Sequence, residues 1–297
     1  MKQLTNISKS YPQLLAEISD PPKNLYISGA IPDQPFIAIV GSRTPTNYGR
    51  EITYRLAYDL ASLGVCIVSG LAYGIDTIAH QAAIDAKGQT VAVLGSGLNQ
   101  IYPRANAKLA TQIADGNGAV ISEYEASSRP LPFHFPQRNR IIAGLSQGII
   151  VTEANAKSGS LITAALALDA NRTVMAVPGN ITNPRSAGPN YLLKMGAVPV
   201  TDAHDVISIL GIEIDQSNQD AEIPHAHMSA IQKQIVNLIH SGITSTPALV
   251  DHLPAAASET IIAIGGLEMA GIIKQIAIGQ WTASKNVSGL AKSTAKL

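Results

Sequence analysis

Five segments of the chain set hydroxyl, amide, basic or aromatic residues directly behind short apolar runs, where backbone N–H groups can converge on an anion. The first is Val40-Gly41-Ser42-Arg43, followed by Thr44 to Gly49 at the head of an amphipathic stretch. A helix beginning there presents unsatisfied donors, and Arg43 can add a bidentate guanidinium. The second, Ser69-Gly70-Leu71-Ala72-Tyr73-Gly74-Ile75-Asp76, repeats the design, with Gly70 and Gly74 permitting close backbone approach. Asp76 and His80 stand one helical turn apart, a spacing open to acid–base chemistry, although a helix cap and a structural histidine are the plainer reading.

The third segment, Phe133-His134-Phe135-Pro136-Gln137-Arg138-Asn139-Arg140, sets two arginines, two amides and three rings immediately before an apolar helix, Ile141 to Leu145. Aromatic faces for bases beside guanidinium groups for phosphate are what single-stranded nucleic acid requires. A solvated helix start with Phe133 and Phe135 plugging the core is the plain alternative. The fourth, Glu153 to Thr163, brings Lys157, Ser158, Gly159, Ser160 and Thr163 to another helix start, without the GxxxxGK[ST] spacing of a P-loop. The fifth runs from Val177-Pro178-Gly179-Asn180 through Arg185 to Asn190 and completes a rim.

Catalytic signatures are missing. There is no GxGxxG after the first strand and no HExxH, and the GxSxG match at Gly144-Leu145-Ser146-Gln147-Gly148 runs from the apolar helix into the next strand, the reverse of a nucleophile elbow. The one close histidine pair, His225 and His227, falls in a linker. The expectation is a binding protein that is not an enzyme and needs no cofactor or metal.

The elements that position these segments alternate β-branched apolar runs with amphipathic stretches. Candidate strands are Phe36 to Val40, Val65 to Ser69, Thr90 to Leu94, Ala119 to Glu123, Gly148 to Glu153, Thr173 to Val177 and Ala197 to Thr201. Stretches such as Tyr48 to Ser62, with Ile52, Leu56 and Leu60 at fourfold spacing, read as crossover helices. The pattern predicts an α/β fold: an extended Rossmann-like, doubly wound, mostly parallel sheet whose ligand sits beyond the strands' C-terminal ends.

Residues 202–222 hold six acidic residues and no base, a final short helix running into an acidic linker. Beyond it, Met228 to His240, Thr246 to His252 and Ser258 to Ala270 read as three short helices. Strands around Gln275, then Gly279 and Trp281, suggest a two-stranded wing. The expected division is a lead-in (1–35), an extended Rossmann DNA-binding domain (36–211), an acidic linker (212–226), a winged-helix-like domain (227–283) and a disordered tail (284–297).

Composition narrows the setting. Cys66 lies alone in the apolar run Val65-Cys66-Ile67-Val68, which excludes a disulfide framework and fits a reducing compartment. The first residues have no apolar signal core, and no run approaches a membrane span, so a cytoplasmic protein is expected. Formal net charge is +0, which excludes binding by bulk charge. Yet Arg129 to Lys194 carries 7 basic residues against Glu153 and Asp169 alone, a focused positive stretch.

At these loops the sequence closely resembles the DNA processing protein A (DprA/Smf) family. The resemblance is carried by Ile39-Val40-Gly41-Ser42-Arg43, Val68-Ser69-Gly70-Leu71-Ala72 with Gly74-Ile75-Asp76 and Ala79-His80, and Tyr102-Pro103. It continues in Phe135-Pro136 before Arg138-Asn139-Arg140-Ile141-Ile142-Ala143-Gly144-Leu145-Ser146, in Ser158-Gly159-Ser160-Leu161-Ile162-Thr163-Ala164, and in Val177-Pro178-Gly179. It spans roughly residues 11–210 in consistent order. It implies a cytoplasmic homodimer that binds and protects single-stranded DNA in natural transformation and recombination and loads the RecA recombinase onto it.

Carried over by position, Arg43 is the phosphate-contacting arginine, with Gly41, Ser42, Ser69, Gly70 and Gly74 as its backbone cradle. Phe135, Arg138, Asn139, Arg140, Lys157, Ser158, Gly159, Ser160 and Thr163 then face DNA in the same pocket. Tyr73, Gln137 and Pro189 depart from the family pattern, and the family's longer N-terminal helical domain is not seen before Tyr11. The competing reading is a nucleotide-processing phosphoribohydrolase on a lysine-decarboxylase-like sheet, but Pro178-Gly179-Asn180 breaks its Pro-Gly-Gly-x-Gly-Thr loop after one glycine.

Overall fold

A computed structural model describes residues 2–116, 118–213, 229–269, 272–277 and 279–283. The first unit carries strands β1 (Lys2–Thr5), β2 (Asn24–Gly29), β3 (Phe36–Val40), β4 (Cys66–Ser69), β5 (Thr90–Leu94), β6 (Ala119–Ser122), β7 (Gly148–Val151), β8 (Thr173–Ala176) and β9 (Val198–Pro199). Its helices are α1 (Gln13–Ala16), α2 (Asn47–Ser62), α3 (Ile75–Asp85), α4 (Ala107–Asp115), α5 (His134–Leu145), α6 (Gly159–Asp169), α7 (Ala187–Lys194) and α8 (Ala203–Leu210).

The nine strands form one sheet in the order β1-β2-β6-β5-β4-β3-β7-β8-β9. Seven are parallel, as expected from the alternating pattern. The expected lead-in adds two more: β2 pairs antiparallel with β6, and β1 with β2. The last expected strand shrinks to the two residues of β9.

Alternate residues of each strand feed opposite layers, as the two-residue strand period dictates. Ala38, Val40, Val68, Val93 and Val151 join Leu15, Ile141 and Ile142 on one face. Ile37, Ile39, Ile67 and Ile150 join Leu56, Leu60 and Val206 on the other. Strands covered on both faces explain the continuous apolar runs. Cys66 is fully buried in the first layer, and burial pushes its thiol well up, as befits a small core hydrophobe.

From β3 the chain winds through β4 and β5 to β6, then returns to lay β7 against the other edge of β3. This reversal opens a crevice beyond the C-terminal ends of β3 and β7, the place where open α/β sheets hold ligands.

The second unit contains α9 (Ala230–His240), α10 (Thr246–His252), α11 (Ala257–Met269) and a hairpin of β10 (Ile273–Ala277) and β11 (Gln280–Ala283). Ser229 and Gln232 form a reciprocal capping box at the start of α9. Trp281 is buried with Ile235, Leu249 and Leu267, and its indole N–H donates to the Thr246 hydroxyl at 2.8 Å. Gln275, expected at the turn, lies within β10 and pairs with Trp281. Most of the expected acidic linker, the His225–His227 pair and the expected 284–297 tail lie outside the described residues. No helix among the described residues is long and apolar enough to cross a membrane.

Candidate nucleic-acid interface

A cleft of about 570 Å³ opens at the β3/β7 reversal. The loop after β3 contributes Gly41 and Arg43, the loop after β4 leads to Asp76, and helices α5 and α6 supply the remaining walls. On α5, Phe135, Arg138, Asn139 and Ile142 line it, the i, i+3, i+4, i+7 set of one helix face. On α6, Ser158, Gly159, Ser160 and Thr163 line it.

Ser158 caps α6, and its hydroxyl lies 2.7 Å from that of Ser160. A Cβ placed on Gly159 would meet nothing within 4 Å, so this helix start opens freely into the cleft. The Ser160 N–H reaches the Ser158 hydroxyl only at 3.4 Å, and the helix dipole favours an anion there. Arg43 is exposed on the opposite lip.

The first two loops are built differently from expectation. Their donors are taken by carboxylates of the protein itself. Buried Glu153, which follows β7, accepts from the Thr46 backbone N–H at 2.8 Å and from its hydroxyl at 2.5 Å, while its carbonyl accepts from the Ser42 N–H. Gly49 makes room: a Cβ there would fall 2.2 Å from the Glu153 carboxylate. Likewise Asp76 accepts from the N–H groups of Gly70 and Ala72 at 3.1 and 3.3 Å. The cap residue of α3 is Gly74, at φ 78°, so Asp76 braces the preceding loop instead of capping the helix.

Consequently Ser42, Ser69, Gly70 and Gly74 support the cleft from behind. The Ser69 hydroxyl donates to the Ile39 carbonyl at 2.7 Å, and a Cβ on Gly74 would collide with the Ser42 carbonyl.

Arg138 and Arg140 part company. The expected helix start at Ile141 moves to His134, with Pro136 accommodated in the first turn. Residues two apart on a helix face different ways. Arg138 therefore points into the protein, 5% exposed, and donates to the carbonyls of Gly70 and Val93. Burial lowers its pKa to about 10, against the pull of Asp76, so it stays charged at neutral pH. Burial also raises the Asp76 carboxyl, and the Arg138 charge opposes that rise. Arg140 turns away from the cleft and clasps Glu123 through both terminal nitrogens at 2.8 and 2.7 Å, with Asp20 at 2.9 Å.

Lys157 is exposed ahead of α6 without lining the cleft. Arg185, in the loop after β8, reaches the Thr44 hydroxyl at 3.3 Å and carries positive charge to the same lip. His80 is fully buried against Thr90, with its pKa driven to about 3 by burial, and is structural. Of the departures from the family pattern, Tyr73 is exposed, Gln137 meets the Tyr124 hydroxyl at 3.2 Å and Pro189 is buried in α7.

Comparison with known proteins decides the lineage. A match to DNA recombination-mediator protein A runs over residues 2–211, the whole nine-stranded unit. The chain belongs to the DNA recombination-mediator protein A family. It is 45% identical over 205 residues to Protein Smf of Escherichia coli, covering 68% of this chain and 55% of that protein. It is 44% identical over 206 residues to the DNA processing protein DprA of Bacillus subtilis, covering 68% and 69%. The chain thus spans just over half the length of the first of these relatives. Among solved structures, DprA of Streptococcus pneumoniae superposes with a TM-score of 0.67 at 41% identity, over 72% of this chain and 74% of that one. DNA processing protein A of Helicobacter pylori, described for its single-stranded DNA binding mode, gives 0.64 at 34% identity, over 72% and 98%. In this DprA-family chain, Glu153 is the site residue that sequence reading overlooks. Its one visible signal is a solitary acid at the end of an apolar strand beside the reversal.

Proposed function

We propose that this protein binds single-stranded DNA in the β3/β7 cleft and, as a cytoplasmic homodimer without catalytic activity, protects the strand and passes it to the RecA recombinase. The observation that carries the reading is the pairing of an open helix start, Ser158 to Ser160, with an exposed guanidinium, Arg43, across a cleft walled by Phe135. Two phosphate-compatible groups of different kinds face one aromatic surface, the combination that single strands require. Arg185 and Lys157 extend the positive charge along the rim, and Arg138 charges the floor. Arg140, satisfied by Glu123 and Asp20, positions α5 and has no DNA contact in this scheme.

The test is fluorescence anisotropy with labelled oligo-dT and a duplex of equal length. Single-strand affinity is expected to exceed duplex affinity. Three to four phosphate contacts give a log–log salt slope of about −2 to −3. Equal duplex affinity, or a slope near zero, contradicts the reading. Transfer is checked separately, by whether pre-bound protein shortens the lag in RecA ATP hydrolysis on the same strand.

A further inference from the structure

Aromatic residues are 4% of this chain, yet exposed rings occur at Tyr73, Tyr102 and Phe133, all in loops that follow the C-terminal ends of strands. Tyr102, in the loop after β5, is 46% exposed. Its ring centre lies 5.4 Å from that of Phe135, tilted by 49°. Phe135 is itself seated against Gly95, where an added Cβ would fall 2.9 Å from the ring, and it lines the cleft. The two rings therefore make a staircase leading outward from the cleft wall.

The Tyr102 hydroxyl has no hydrogen-bond partner among the described residues. Tyr48 and Tyr54 are tethered, donating to the Pro178 carbonyl and to Asp85 at 3.0 Å each, whereas Tyr102 shares its free hydroxyl among the described residues with Tyr73 and Tyr191 and differs from them in packing its ring on a residue of the cleft wall. Half of an aromatic face left in water, with no polar anchor, is surface that gains from being covered. β5 is two strands from β3 in the sheet, so the Tyr102 loop starts about 10 Å from the Arg43 loop. Phe135, which lines the cleft and packs on Tyr102, links the two loops, so a base on Tyr102 would follow one held in the cleft.

We propose that Tyr102 is a base-stacking residue that receives the nucleobase next to the one held in the cleft, with Phe135 as the step between them. The inference rests on the single-stranded DNA reading above and adds a subsite to it. Stacking on a π face is indifferent to base identity, so the subsite lengthens the footprint without adding sequence preference.

The test compares wild type with Tyr102→Ala, Tyr102→Leu and Tyr102→Phe on oligo-dT and on an oligomer of equal length with abasic residues. Tyr102→Leu keeps apolar packing against Phe135 while removing the π face, and thermal unfolding confirms that each variant is folded. On oligo-dT, Tyr102→Ala and Tyr102→Leu are expected to weaken binding about tenfold, while Tyr102→Phe stays within about twofold. On the abasic strand all four proteins bind alike, and the salt slope is unchanged throughout. Unaltered oligo-dT affinity in both Ala and Leu variants, or an equal loss on the abasic strand, overturns the stacking role. A wild-type protein that binds no oligo-dT overturns the functional reading itself, and this subsite with it.

Discussion

The Glu153 carboxylate holds Thr46, 107 residues earlier in the chain, by both its backbone N–H and its hydroxyl. Thr46 in turn caps α2, accepting from the Gly49 N–H at 3.1 Å. A buried acid thus ties the loop after β3 to the strand across the reversal and sets the position of Arg43. An anion supplied by the protein occupies the place where a ligand's phosphate would otherwise fit.

Replacing Glu153 removes that tie. Glu153→Gln removes the charge and puts an NH2 group against the Thr46 N–H or hydroxyl; even where the hydroxyl turns to accept from it, a buried hydrogen is left without a partner, which costs about 1–3 kcal/mol. Gly49→Ala drives a methyl into the same carboxylate and destabilises comparably, whereas Gly159→Ala, opening on free space, leaves stability within about 1 kcal/mol. Urea unfolding of the three variants checks this order.

The arginines separate by burial. Arg138→Ala strips a charge partner from buried Asp76 and empties the space beneath Gly70, costing about 3 kcal/mol or more. Arg140→Ala frees Glu123 and Asp20 near the surface and costs about 1 kcal/mol. Arg43→Ala, exposed, stays within about 0.5 kcal/mol. Midpoints from denaturant titration distinguish the three.

His80 makes stability depend on pH. Its pKa falls from 6.5 to about 3 on folding, so below pH 6.5 the unfolded chain binds a proton that the native state refuses. Stability is therefore flat above about pH 7 and declines below 6.5, at up to about 1.4 kcal/mol per pH unit. Asp76, raised in the native state, acts in the opposite sense, adding stability as pH falls toward the ordinary carboxylate range. Comparing unfolding free energies of wild type and His80→Gln from pH 7.5 to 5 isolates the histidine: the decline is expected to flatten in the variant.

The parallel strands were legible because each is buried on both faces and so reads as an unbroken β-branched run. The edge strand β1, four residues with no buried side chain, gives no such signal. The start of α5 was obscured by Pro136, which a first helical turn tolerates, and this concealed the divergence of Arg138 from Arg140. Cleft residues close in sequence, such as Ser158 to Thr163, could be read locally. The Glu153–Thr46 tie could not, since each partner alone is an ordinary acid or an ordinary cap. In the wing, Gln275 was a natural candidate for the turn because it divides two isoleucine pairs, but Gly279, at φ 69°, is the residue suited to that conformation.

The most direct test of the account is the salt dependence of oligo-dT binding by Arg43→Ala. The account predicts at least tenfold weaker affinity at fixed salt, with the log–log slope reduced in magnitude by about 0.7, the value of one lost phosphate contact to a single strand. Affinity and slope both equal to wild type would contradict it.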